Sequence, residues 1–91
     1  MTVYVDELRN TAPNRRWPYK RSCHLVADTV DELHDFATRL GMKRAWFQDG
    51  RYPHYDIVAS RRVKALRMGA RVITAREWVI RHYNTWRKRR D

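Results

Sequence analysis

Six side chains in this 91-residue sequence have the chemistry of proton transfer or metal ligation: Asp6, His24, Asp28, His34, His54 and Asp56. Five of them fall where strands are predicted to end or to turn into helices, and His34 falls on a helix. Alternate residues of a strand share a face, so His54-x-Asp56 sends both side chains the same way. That pair suits either a base with its orienting carboxylate or two metal ligands. His24 and Asp28 bracket another strand-to-helix turn. A divalent ion held by Asp6, Asp28 and Asp56 would suit phosphodiester cleavage, where a metal generates the nucleophile and steadies the leaving oxygen. The competing reading is that these groups bond the backbone and organise turns. For His34, one position off the apolar stripe of its helix, a packed or exposed histidine without a task is the better reading. No H-E-x-x-H, paired-cysteine zinc motif, P-loop or dinucleotide fingerprint is present.

The elements that must position these groups are short. Thr2 to Val5 reads as a strand delivering Asp6, and Ser22 to Ala27 as a strand apolar enough to be buried on both faces. Thr29 with Glu32 makes a capping box for a helix with Leu33, Phe36, Ala37 and Leu40 on one face, and Gly41 stops it. Met42 to Gln48 predicts a third strand, which Asp49-Gly50 folds back as a hairpin onto His54 to Val58. Ser60 is the predicted N-cap of a helix from Arg61 to Met68, closed by Gly69. Ala70 to Ile73 makes a last strand, and Thr74 with Glu77 repeats the capping box before a terminal helix carrying Ala75, Trp78, Val79, His82 and Trp86 on one face. Two β-α-β units follow, one led by His24 and one by His54. They imply parallel pairing with right-handed crossovers, and His24 and His54 on the same edge of one sheet with Asp6 in reach of both. The expected fold is a small single-domain α/β protein of about five short strands in a mostly parallel or mixed sheet with three helices. Residues 1–74 form its core. Residues 75–91 form a basic amphipathic helix packed on that core, ending either as a frayed tail or as a nucleic-acid arm.

The net charge of +10 and the pI near 10.6 favour polyanionic partners. Residues 61–91 hold eleven Lys or Arg against Glu77 and Asp91, whereas residues 28–41 hold four acids against Arg39. Helix N-termini beyond strand ends attract anions, so Ser60, Arg61, Arg62 and Arg67, with Arg15 and Arg16 from the Pro- and Arg-rich loop of residues 9–21, are candidate phosphate ligands. The lone Cys23 reads as a small buried hydrophobe. No signal peptide or membrane span is read, so the expected location is a reducing cytoplasm.

Val3-Tyr4-Val5-Asp6, Cys23-His24-Leu25, Ala27-Asp28-Thr29 with Glu32-Leu33-His34, Trp46-Phe47-Gln48 and Pro53-His54-Tyr55-Asp56 together resemble the small bacterial and phage proteins grouped as domain of unknown function 4031. The resemblance spans roughly residues 2–74. It implies a fold, a phage or prophage origin and a set of suspect positions, Asp6, His24, Asp28, His34, His54 and Asp56. It implies no activity.

Three functions follow from these readings. The favoured one is a phosphate-recognising protein that binds nucleic acid or nucleotide through the arginine set and the basic end. The second adds metal-assisted or acid-base phosphoester hydrolysis at the His/Asp cluster, with a divalent metal ion as the candidate cofactor. The third is a phage accessory protein that binds a host protein through Trp17, Trp86 and arginines.

Overall fold

The computed structural model describes residues 2–10, 21–50 and 52–81. Arg15, Arg16, Trp17, His82, Trp86 and the basic run of residues 87–90 lie outside the described residues.

A five-stranded mixed sheet is built around β3, Arg21–Ala27. Leu25 of β3 pairs with Val5 of β1 (Val3–Val5) on one side and with Tyr55 of β4 (Tyr55–Ile57) on the other, both antiparallel. β2 (Arg9–Asn10) continues the first arm along the start of β3. β5 (Arg71–Val72) adds to β1 in parallel. The path is therefore β4-β3-β1-β5.

Alternation along these strands makes two separate faces. Cys23, Leu25 and Ala27, with Val5, Tyr55 and Ile57, meet Leu33, Phe36, Ala37 and Leu40 of α1 (Val30–Leu40) and Ala65 of α2 (Ala59–Arg67). Tyr4 and Val26 face the other way and pack with Ile73 and Trp78 of α3, described over residues 75–81. The result is three layers, with two helices on one side of the sheet and one on the other.

Helix α1 starts and stops where its sequence says. The Thr29 hydroxyl accepts from the Glu32 N–H at 3.2 Å, and Gly41 takes a left-handed turn at φ 92°. The box is only half made, since both Glu32 carboxylate oxygens are buried and meet no donor among the described residues. In α3 both halves form, each at 3.0 Å between Thr74 and Glu77.

Three expectations fail. The strand over residues 42–48 is instead a 3-10 turn at Arg44–Trp46, and the hairpin survives only as the antiparallel bridge between Gln48 and His54. Only Gln48 of that stretch reaches the start of β4 among the described residues, and Lys43 lies over the exposed Trp46 ring. Ser60 is not a cap either. Extended Val58 runs straight into α2, which starts two residues before the predicted Arg61 and leaves Ser60 exposed in its first turn. Finally, the His24 unit is no parallel crossover: with α1 and the further segment of residues 42–54 between them, β3 and β4 come out antiparallel. The second unit keeps its parallel direction but not its pairing. β4 and β5 run in the same direction around α2, with β3 and β1 between them.

Cys23, 3 % exposed, is the small buried residue its sequence context indicates. Burial pushes its thiol up to about 12, with the nearby Asp6 charge adding to the effect. Near neutral pH the thiolate is about a thousandfold scarcer than for a thiol at the ordinary value of 9.0. An aromatic disulfide reagent is expected to label Cys23 at that reduced rate or slower in the native protein, and fully in denaturant. Labelling in the native protein as fast as in denaturant would contradict this burial.

Candidate functional site

The antiparallel register of β3 sets the site. His24 stands opposite Asp56 on β4, and Asp6 follows Val5, the partner of Leu25, so it meets His24 from the β1 side. Asp6, His24 and Asp56 thus form a row across three strands, on the face that α3 covers. His54, two residues before Asp56, projects from the same face.

Contacts within the row are close. The His24 backbone N–H donates to Asp6 Oδ1 at 2.6 Å, and His24 Nδ1 lies 2.6 Å from Asp6 Oδ2. Asp6 is only 3 % exposed. Burial alone would raise its carboxyl, but the hydrogen bonds and charge of His24, helped by the charge of Arg9, outweigh burial and hold it below the usual carboxylate value. The ionised carboxylate can only accept, so His24 Nδ1 carries the proton in that bond. The bond to Asp6 in turn raises the His24 imidazole, prevailing over its burial, with the charges of Asp6 and Asp56 adding to the effect.

The second histidine is fixed in the same way. His54 Nδ1 lies 2.7 Å from the Tyr52 carbonyl oxygen, another group that only accepts. Both rings therefore keep Nε2 for the site, at 3.8 Å (His24) and 3.5 Å (His54) from Asp56 Oδ1. The rings meet edge to face with centroids 4.9 Å apart. The other Asp56 oxygen accepts from the Gln48 amide.

Beside this cluster lies a cavity of about 180 Å³. Asp6, His24, Tyr52 and His54 line one part of it, and Val26 with Ala75, Trp78 and Val79 of α3 line the rest. That volume is below the roughly 300–1,000 Å³ of sites for drug-sized ligands.

Two candidates lie elsewhere. Asp28 accepts from the Thr2 N–H at 3.2 Å, the Tyr4 hydroxyl at 3.2 Å and Arg81 Nε at 3.1 Å, so it ties the start of the chain to α3. The metal site imagined from Asp6, Asp28 and Asp56 does not form, because Asp28 is held there and Asp6 by His24. His34 is on the opposite side of the sheet, 2.7 Å from the Tyr55 hydroxyl and edge-on to Phe47, and its burial beside Arg44 lowers its imidazole. His34 sits on α1, and the sheet stands between that helix and the α3 face.

Among the described residues, the candidate arginines are not gathered into one pocket. Arg61 Nη1 donates to the Leu40 carbonyl at 3.0 Å, closing the end of α1, and Arg62 Nε donates to the Asp6 carbonyl at 2.9 Å. Ser60 and Arg67 are exposed at opposite ends of α2. Sequence reasoning missed Gln48, the Tyr52 carbonyl and Arg9. The pairing of Gln48 with His54 held the signal for Gln48, since bridged residues place their neighbours side by side.

Fold and cluster together define a small mixed α/β protein with a histidine–carboxylate cleft on one face of its sheet. The chain belongs to the family of proteins of unknown function DUF4031, whose pattern matches residues 3–85. That match runs past residue 74 and takes in α3, the helix that walls the cleft. No curated protein and no solved structure matches the chain. Among the described residues no helix is long and apolar enough to cross a membrane.

Proposed function

We propose that the protein recognises phosphate-bearing substrates, nucleic acid or nucleotide, and hydrolyses a phosphoester bond at Asp6, His24, His54 and Asp56. The observation that carries this reading is the convergence of two imidazole Nε2 atoms on one carboxylate oxygen, with Asp6 fixing the first ring and the Tyr52 carbonyl the second. Hydrolysis needs water stripped of a proton as it adds to phosphorus, and a proton for the oxygen that leaves when the P–O bond breaks. Groups that hold lone pairs on one point and stay partly open to solvent suit the first task. The apolar wall of Val26, Trp78 and Val79 offers a surface for the face of a base. The charge of +10 draws polyanions to the chain.

The test is turnover of a chromogenic phosphodiester and of labelled single- and double-stranded oligonucleotides. Wild type is expected to cleave at least one of them. His54→Ala and Asp56→Asn are expected to lower kcat about 100-fold or more while the fold is retained. Binding of the uncleaved oligonucleotide should weaken steeply with salt, because each neutralised phosphate releases a counterion. No cleavage of any of these substrates by wild type, or unchanged turnover in both variants, rejects the hydrolase. A flat salt response rejects the polyanion.

A further inference from the structure

Three atoms able to ligate a cation face one another: His24 Nε2, His54 Nε2 and Asp56 Oδ1. A cation at their common point would meet all three. Asp6 and the Tyr52 carbonyl each take an Nδ1–H, and the Gln48 amide occupies the far oxygen of Asp56, so each of the three groups has a partner that orients it. Carboxylate or carbonyl support behind a ligating imidazole is the usual outer shell of a metal site.

We propose that His24, His54 and Asp56 hold a divalent first-row transition-metal ion of the zinc class. One donor atom from each of the three lies within 4.8 Å of the others. Tetrahedral ligands at about 2.0–2.2 Å from zinc stand roughly 3.3 Å from one another. The separations of 3.5 and 3.8 Å to Asp56 Oδ1 need only a small contraction. Two imidazoles and one carboxylate favour zinc, cobalt or iron over magnesium or calcium, which take oxygen ligands. Three protein ligands, with His24 and Asp56 about one-third or more exposed, leave coordination positions open for water, as in catalytic rather than structural sites. As a cofactor for hydrolysis the ion rests on the reading above, since bound water would then lose its proton near neutral pH. As a binding site it stands on geometry alone.

The experiment titrates the full metal-free chain with Co²⁺, followed by its visible absorption, and with Zn²⁺ in competition. A single saturable site is expected, not displaced by excess Mg²⁺. Asp6→Asn and Gln48→Ala should each weaken it about 10–100-fold. His54→Ala and Asp56→Asn together should abolish it, and His34→Ala should leave it unchanged. In case the double variant does not fold, side-chain nitrogen resonances of wild type supply a second readout: Zn²⁺ should shift Nε2 of His24 and His54 and leave His34 in place. No saturable binding, binding that survives in a folded double variant, or resonances of His24 and His54 that ignore Zn²⁺ overturns the site. Turnover that persists after complete chelation overturns the ion as cofactor and leaves the hydrolase. Binding without turnover rejects the hydrolase and leaves the metal site.

Discussion

Trp78→Ala is expected to cost about 3–5 kcal/mol, the range for emptying a buried aromatic site. Trp78 is 8 % exposed, and its ring stands 6.0 Å from that of Tyr4. Among the described residues, the core on that face of the sheet consists of Tyr4, Val26, Ile73 and Trp78. Removing the largest of these side chains opens a space that the remaining three fill poorly. Arg81, which pairs with Asp28 and lies over the Tyr4 ring, also ties α3 to the sheet, but it is half-exposed, and such surface pairs contribute about 0–1 kcal/mol. For a domain of this size the loss corresponds to a fall in Tm of more than about 12 °C. Urea unfolding gives the stability, and limited proteolysis within residues 75–81 reports whether α3 detaches first. A change below about 1 kcal/mol would show that α3 is not seated on the sheet.

Asp6→Asn should lower turnover by about two to four orders of magnitude with the fold intact. The asparagine oxygen can still accept from the His24 backbone N–H, but its NH₂ then faces His24 Nδ1. A donor at that position makes Nδ1 the acceptor and moves the ring proton to Nε2, the atom that faces His54 and Asp56. Wrong-tautomer substitutions behind a catalytic histidine have effects of this size. A purely structural role for Asp6 would lower the melting temperature and leave the kcat of the folded fraction unchanged. A second readout separates the two roles: the Asp6→Asn/His24→Ala double variant should be no slower than His24→Ala alone, since the two residues act as one unit.

Helix α1 was legible because Thr29, the stripe of Leu33, Phe36, Ala37 and Leu40, and Gly41 all point to the same element. The capped start of α3 was legible for the same reason. Harder to read was the partner of each strand. The meeting of His24, His54 and Asp6 was expected, but through two parallel crossovers. It arises instead from the antiparallel pairing of β3 with β4, which faces His24 directly toward Asp56. Pairing across 32 residues of sequence leaves no periodic trace, so the position was recoverable and its route was not. Aromatic content misled at Trp46 and Phe47, where the chain makes a 3-10 turn and pairs with the start of β4 only from Gln48. His34, read from sequence as a histidine without a task, lies on the α1 side of the sheet, whereas Asp28 shares the α3 side with the cluster and is set apart by its bonds to Thr2, Tyr4 and Arg81.

The alternation along β3 has a practical result. Cys23, Leu25 and Ala27 carry the packing against α1 and α2, while Ser22, His24 and Val26 point away from it. A library randomised at the cleft-lining positions 52, 75 and 79 would therefore reshape the chamber while His24 and His54 keep their places and the opposite layer goes on holding the sheet. The side chain that anchors the cleft and those that hold the opposite core alternate along one seven-residue strand, so either set can be changed without the other.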